Sequence, residues 1–333
     1  MGHAFMLAPM AELSHRALRE LIQGFSEEQN KNADIVYFTE MISAAGLLSG
    51  GPFEKWYLDN EPCPAQLVYQ LVSSDPDQLV KAAVLLDRQE CLGIDINMGC
   101  SAPAITRTGA GVRWMEDTEK AARLVERLRR LTKKQLSVKI RLGPKVSGRE
   151  NEEWGTEALL RFCLALEEAG LDLIILHPRQ AAEKFKRRAR WEYVETLRRE
   201  LKIPVAGNGD IAGAEELAKK AADGPVMAGR LLVREPWAFA EAYIKKNISP
   251  IILEETGLRF LELLTRYQPP EFHLSRARRF FRYFCDNITW AEYLRNKINR
   301  EESLAGIGKL WQDYFRHAAL LTKETVLTKV DGR

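Results

Sequence analysis

Leu136-Ser-Val-Lys-Ile-Arg141, a helical stretch over residues 157–169, then Leu173-Ile-Ile-Leu-His177: this passage decides the fold class. Both short runs are almost continuously apolar, as strands are when a parallel sheet buries its two faces. Each run ends on a group that can hydrogen-bond or carry charge. Strand, helix, strand is one parallel βαβ step, and the same theme recurs in both directions. Upstream stand Phe5-Met-Leu-Ala-Pro-Met10, Ile35-Val-Tyr-Phe-Thr-Glu40, Leu67-Val-Tyr-Gln-Leu-Val72 and Gly93-Ile-Asp-Ile-Asn97. Downstream stand Ile203-Pro-Val-Ala-Gly207 and Pro225-Val-Met-Ala-Gly229. Helical periodicity predicts helices over 14–23, 75–87, 118–131, 192–201 and 214–222. Between Glu40 and Gln66 no second helix can be placed. Eight strands within about 230 residues fit an α/β fold of the (β/α)8 TIM-barrel type.

After about residue 247 the strands stop. Residues 252–267, 274–286, 290–298 and 310–323 read as amphipathic helices, with Pro269-Pro270 marking a break. The expected organisation is a catalytic barrel over 1–247 and a smaller all-helical domain over 248–333. No Gly/Ser linker separates them, so the two are expected to pack together.

Composition narrows the function classes. Of 333 residues, 46% are hydrophobic and 29% charged, enough for a large core and incompatible with wholesale disorder. No run approaches the roughly 18 apolar residues of a membrane span. The start, Met1-Gly-His-Ala-Phe-Met6, lacks the features of a signal peptide. Cysteines at 63, 91, 100, 163 and 285 form neither a disulfide framework nor a zinc pattern. A reducing cytoplasm, no metal and a monomer are the expectations. The net charge of +3 is too small to imply a nucleic-acid partner, but its distribution is uneven. Residues 184–190, KFKRRAR, hold five basic residues and no acid. Residues 271–300 hold seven Lys/Arg against three Asp/Glu, interleaved with aromatic residues. Such a stretch is either a solvated helix face over a core stripe or a surface for a phosphate backbone.

In a barrel of this type the working site lies at the C-terminal strand ends. Those ends read Pro9-Met10, Glu40, Gln70, Asn97 with Cys100, Lys139 with Arg141, His177 with Arg179, Asn208-Gly209-Asp210, and Gly229-Arg230. The loops after strands seven and eight are the usual phosphate site. Their glycines let backbone N–H groups approach an anion, and Arg230 can add charge-assisted bonds. Lys139, flanked by apolar residues mid-strand, is costly to bury without a negative partner. Its ammonium suits the electron-rich N1–C2 side of a reduced flavin. His177 beside Arg179 is a ligand contact, and Gln70 and Asn208 offer amides for a pyrimidine-like edge. Cys100 lies in a loop with Gly99, Pro103, Gly109 and Gly111, where it is a nucleophile or, if protonated, a proton donor. No Cys-His spacing marks a thiol protease, and an acid suits a redox site better.

The ordered motifs resemble those of the tRNA-dihydrouridine synthases. The resemblance runs through Leu7-Ala-Pro-Met10, Thr39-Glu-Met41, Asp95-Ile-Asn-Met-Gly-Cys100 and Gly109-Ala-Gly111. It continues through Val138-Lys-Ile-Arg-Leu-Gly143, His177-x-Arg179, Asn208-Gly-Asp-Ile211 and Gly229-Arg230. It implies an FMN-binding barrel followed by a helical RNA-binding domain. Hydride would pass from NADPH through FMN N5 to C6 of a uridine, and Cys100 would protonate C5 from the opposite face. Pro9, Met10, Gln70, Lys139, His177, Asn208, Gly209, Asp210, Gly229 and Arg230 would hold FMN. Asn97 would orient the uracil. The RNA, tRNA or alternatively ribosomal RNA, would meet Arg179, Lys184, Lys186, Arg187, Arg276, Arg278, Arg279 and Arg282. Four features depart from the family pattern: Ser101 after the cysteine, Pro178-Arg179-Gln180, Ser73 in place of a glycine, and Val112-Arg-Trp-Met115. Two other readings stand beside this one: an FMN-barrel oxidoreductase for a small unsaturated compound, and a non-catalytic RNA-binding module.

Overall fold

All eight apolar runs are strands: β1 (Phe5–Leu7), β2 (Ile35–Ser43), β3 (Leu67–Val72), β4 (Gly93–Met98), β5 (Gln135–Arg141), β6 (Leu173–His177), β7 (Val205–Asn208) and β8 (Val226–Ala228). A computed structural model describes residues 5–27, 35–144, 154–183, 186–242 and 248–330, with side chains to residue 317. The strands are parallel and close in sequence order, β8 pairing with β1 through Phe5↔Val226 and Leu7↔Ala228. This is the (β/α)8 barrel.

Strand period two decides which residues point inward. Met6, Ala8, Val36, Phe38, Val68, Ile175, Ala206 and Met227 fill the barrel interior as one cluster. Phe5, Leu7, Ile94, Ile96, Val138 and Ile140 face the surrounding helices in a second, larger core. The same alternation turns Asp95, Asn97, Ser137, Lys139 and Arg141 toward the axis. Register sets their neighbours: Gln70↔Asp95, Asp95↔Ser137, Asn97↔Lys139 and Arg141↔His177.

Helices Arg16–Glu27, Pro76–Asp87, Thr118–Leu131, Thr156–Glu168, Glu192–Glu200 and Ala214–Ala221 lie where the periodicity predicts them. Three strand ends shift by two residues or more. β1 stops two residues before Pro9, whose ring removes an N–H from any ladder. β7 starts at Val205 because Pro204 supplies only a carbonyl, which accepts from Ile174 N–H at 3.2 Å. β2 runs three residues past Glu40, with a register shift between Phe38 and Met41. The unplaced segment that follows holds two short helices, Ala44–Ser49 and Glu54–Tyr57. The first is capped by Ser43 Oγ, which accepts from Gly46 N–H.

Beyond the barrel, helices Pro250–Tyr267, Pro270–Phe284, Ala291–Arg300 and Leu304–Val330 form the C-terminal part. Pro269-Pro270 ends one helix and starts the next, with Pro270 at the first turn where its missing N–H costs nothing. Phe260 stacks on Phe280 at 3.7 Å between centroids, and Phe284 and Trp311 extend the cluster. Gly257 permits this packing, since a Cβ there would stand 2.4 Å from the Trp311 ring. Helix Pro250–Tyr267 lies against Arg16–Glu27, and the apolar core runs without interruption from barrel to helical part. Among the described residues, no helix is long and apolar enough to cross a membrane.

Candidate active site

A cavity of about 790 Å³ opens at the C-terminal mouth of the barrel. Pro9, Met10, Cys100, Lys139, His177, Asn208, Gly209, Asp210, Gly229 and Arg230 all line it, as do Asn97 and Arg279. The strand ends converge on one space because each inward-facing terminal residue has only the axis to point at. Five cationic side chains line the cavity (Lys139, Arg141, Arg230, Arg234, Arg279) against two carboxylates, Asp210 and Asp286. Such a surplus favours an anionic ligand.

Lys139 makes no hydrogen bond or ion pair among the described residues. Burial and the neighbouring Arg141 push its ammonium down to about 8, with Asp95 and Cys100 opposing. Arg141 donates through Nε to the Gly99 carbonyl at 3.0 Å, while its buried Nη1 has no hydrogen-bond partner among the described residues. Both groups suit an electron-rich ligand, the one at its ammonium and the other at an orphaned guanidinium N–H.

His177 is buried beneath this cationic rim. Burial, then Lys139, Arg141, Arg179 and Arg230, hold its imidazolium far below the ordinary range, so the ring is neutral. Its Nε2 lies 2.9 Å from Arg179 Nη1. A guanidinium only donates, so Nε2 accepts and the proton sits on Nδ1.

The loops after β7 and β8 have their own geometry. Gly209 adopts φ +121°, and a Cβ there would press to 3.0 Å on the His177 ring. Gly229 leaves only 3.1 Å between a hypothetical Cβ and Met10 Sδ. Asp210, also left-handed at φ +51°, receives Arg179 Nη2 on both oxygens at 2.5 and 2.6 Å, and Arg230 at 3.4 Å. Burial raises the Asp210 carboxyl, but the Arg179 and Ala189 hydrogen bonds and both arginine charges outweigh it and hold it low. Asp210 therefore orients the arginines around the mouth.

Cys100 is half-buried at the cavity wall. Its N–H donates to Asn97 Oδ1 at 2.9 Å, and its carbonyl accepts from Val112 N–H at 3.0 Å. Gly111 makes the second contact possible, since a Cβ there would stand 2.4 Å from the Cys100 carbonyl oxygen, and φ is +65°. Two departures from the family pattern meet behind this loop: Trp114 Nε1 donates to the Ser73 carbonyl at 2.7 Å. A third is also bonded, Gln180 Nε2 donating to the Trp154 carbonyl at 3.3 Å.

Several expected residues lie elsewhere. Gln70 does not line the cavity: buried one layer below, it bonds Asp95 and Asn97. Arg179 is buried behind His177, so it is corrected from a substrate contact to a support for His177 and Asp210. Arg276 is 2% exposed and ion-paired to Glu40, which corrects its expected role at the RNA surface. The helical period of the basic stretch placed it on the inner face. Arg278 donates to the Glu301 carbonyl at 2.6 Å, and Arg279 to Glu12 Oε2 at 3.1 Å. Arg282, Lys186 and Arg187 are exposed, and Lys184 lies outside the described residues. Missing from the expected set were Arg234, Tyr283 and Asp286, and Arg141, though read at the end of its strand, was given no role. Arg141 shares the inward face of Lys139, and Arg234 lies one helical turn past Arg230, so both carried a signal. Tyr283 and Asp286 arrive by tertiary packing and carried none. No cluster among the described residues suits a metal ion.

A family model described as dihydrouridine synthase matches residues 6–317. A probable tRNA-dihydrouridine synthase of Aquifex aeolicus is 28% identical over 277 residues, 80% of this chain and 81% of that protein. One from Rickettsia prowazekii is 27% identical over 309 residues, covering 88% and 89%. Another from Synechocystis is 26% identical over 304 residues, covering 87% and 80%.

Proposed function

Because the chain belongs to the dihydrouridine synthase family, we propose that it reduces the 5,6-double bond of a uridine in tRNA, with a flavin held in the barrel mouth. The observation that carries this reading is that Cys100 shares one cationic cavity with Lys139, His177, Asn208 and Arg230. The flavin is read as FMN and its reductant as NADPH. A single phosphate is assigned to the loops after β7 and β8, where Gly209 and Gly229 line the cavity and Arg230 supplies charge. Lys139 and the Arg141 Nη1 would meet the electron-rich part of the ring system. Neutral His177, an acceptor at Nε2 toward Arg179, presents a shape without adding charge. When bound, the flavin supplies the hydride that reaches C6 of the base.

The remaining work belongs to this chain. Cys100 Sγ donates the proton that C5 takes up, and solvent restores it. Asn97 keeps a second amide proton beyond its bond to Gln70, available to a base carbonyl. The base must leave its stack to reach such a recess, at a cost of a few kcal/mol. Phosphate contacts by exposed Lys186, Arg187 and Arg282 would offset that cost. The barrel over 1–247 then carries the chemistry, and the helices over 248–333 help present the RNA.

The test is anaerobic. The flavin is reduced with one equivalent of NADPH, then tRNA from cells lacking this gene is added. Rapid reoxidation by that RNA, and none by free uridine, is the expected result. A reducible flavin that the RNA leaves reduced would overturn the reading.

A further inference from the structure

We infer that Asp95 is a positioning residue for Cys100, acting through Gln70 and Asn97 at the core of the barrel. Asp95 Oδ2 accepts from Gln70 Nε2 at 2.7 Å. Gln70 Oε1 accepts from Asn97 Nδ2 at 2.9 Å. Asn97 Oδ1 accepts from the N–H groups of Cys100 at 2.9 Å and Gly99 at 3.2 Å. The other Asp95 oxygen accepts from Ser137 Oγ at 2.6 Å, so the network spans β3, β4 and β5.

The chain of bonds has one polarity. An ionised carboxylate only accepts, so the Gln70 amide must present its NH2 group to Asp95. Its carbonyl then faces Asn97, which answers with NH2 and turns its own carbonyl toward Cys100. There the backbone N–H is an obligatory donor. Acceptor at one end and donor at the other leave neither amide free to flip. Two amides that could each lie in either of two orientations are thereby fixed between one buried acceptor and one backbone donor.

Asp95 and Gln70 are buried, and neither reaches the cavity. Among the described residues, the direct partners of the Asp95 carboxylate are a hydroxyl and an amide, and no cation forms an ion pair with it. A buried acid so placed is expensive for folding, and an apolar side chain would fill the space at less cost. Its position makes sense as the anchor that sets the direction of the relay. With Val112 N–H on the far side, the Cys100 peptide is held at both its N–H and its carbonyl.

The inference rests on Cys100 being the proton donor, so the test reads Cys100 both with and without turnover. Asp95→Asn and Asp95→Leu both remove the charge, but only the second cuts the relay. In Asp95→Asn, Oδ1 still accepts from Gln70 while Nδ2 donates to Ser137 Oγ, a hydroxyl able to accept. The flavin-loaded variants are compared in three rates: flavin reduction by NADPH, reoxidation by tRNA, and iodoacetamide alkylation mapped at Cys100. Asp95→Leu should slow reoxidation by about 100-fold, the scale of a 1 Å misplacement. Its alkylation rate should shift as well, with flavin reduction unchanged. Asp95→Asn should match the parent in all three. Equal behaviour of the two variants, or equal loss in both flavin half-reactions, would overturn the inference.

If Asp95→Leu does not fold, Asn97→Asp and the double variant Asp95→Asn/Asn97→Asp replace it. The single change sets two acceptors face to face at Gln70. The double change lets Gln70 flip, so that its NH2 group donates to the carboxylate at position 97, whose other oxygen still accepts from Cys100 N–H. Recovery of the parental Cys100 alkylation rate in the double variant alone is expected, and no recovery would overturn the relay. If Cys100→Ala retains full reoxidation by tRNA, the functional reading fails, whereas the alkylation rates still decide the relay.

Discussion

Glu40 and Arg276 are 236 residues apart in the chain and meet at 2.7 Å in a buried ion pair. Glu40 ends the expected run of β2, and its other oxygen accepts from Glu12 N–H at 2.5 Å. Arg276 also donates to Gln268 Oε1, within the helical part. The pair ties the mouth of the barrel to helix Pro270–Phe284. Burial raises the Glu40 carboxyl, and Arg276, the Glu12 N–H and Arg19 oppose that.

Arg276→Ala strands the buried carboxylate, and removal of one partner from such a pair costs on the order of 3–5 kcal/mol. Urea unfolding should show that loss. Glu40→Gln with Arg276→Met should be far milder, since both charges leave together.

Arg282 is exposed on the same helix and should behave oppositely. Arg282→Ala should change stability by no more than about 0.5 kcal/mol. Its tRNA affinity should fall, with the slope of log K against log salt smaller by about 0.9 if one phosphate contact is lost. An unchanged slope would remove Arg282 from the RNA surface.

Gly111→Ala tests the cysteine loop. The added methyl would stand 2.4 Å from the Cys100 carbonyl oxygen, at a φ of +65° that disfavours alanine. Reoxidation by tRNA should drop steeply while the flavin stays bound. Parental reoxidation would show that the loop position does not matter.

Asp95 gives a pH-dependent prediction. Burial lifts its carboxyl to about 6, against the hydrogen bonds of Ser137 and Gln70 and the charge of Lys139. An acid raised in the folded state contributes stability below its unfolded value near 3.8, and this is lost as pH rises through 6. Asp95→Asn should therefore be more stable than the parent at pH 8, by an amount on the order of 2–3 kcal/mol at 1.36 kcal/mol per pKa unit. The gain should vanish as pH falls toward 4. Denaturant titrations at the two pH values measure it.

Cys100→Ala should keep the flavin and its reduction by NADPH yet form dihydrouridine far more slowly. General acid catalysis contributes typically 10²–10⁴-fold, so a loss of about that size is expected. Nucleoside analysis of the treated tRNA measures the product.

The strands could be read from the sequence because both faces of a parallel barrel are apolar, and that leaves continuous runs such as Leu173–His177. The cavity lining followed almost as directly. Once the strands were placed, period two and the rule of C-terminal ends fixed where Lys139, His177 and Asn208 must point, and Arg230 follows at the start of the short helix Arg230–Arg234. Gln70 shows the limit of that rule, because it stands two residues before the end of β3 and so lies one layer below the cavity. The basic stretch could not be divided in advance, since charge spacing alone does not say which side of a helix meets the core. Packing of Phe260, Phe280 and Trp311 set the rotation of helix Pro270–Phe284. That rotation sent Arg276 inward to Glu40 and left Arg282 in solvent. Local pattern determined the barrel and the strand-end residues at its mouth; long-range packing alone brought Tyr283 and Asp286 there, and decided which arginines remain available to an RNA and how Asp95 holds the cysteine loop.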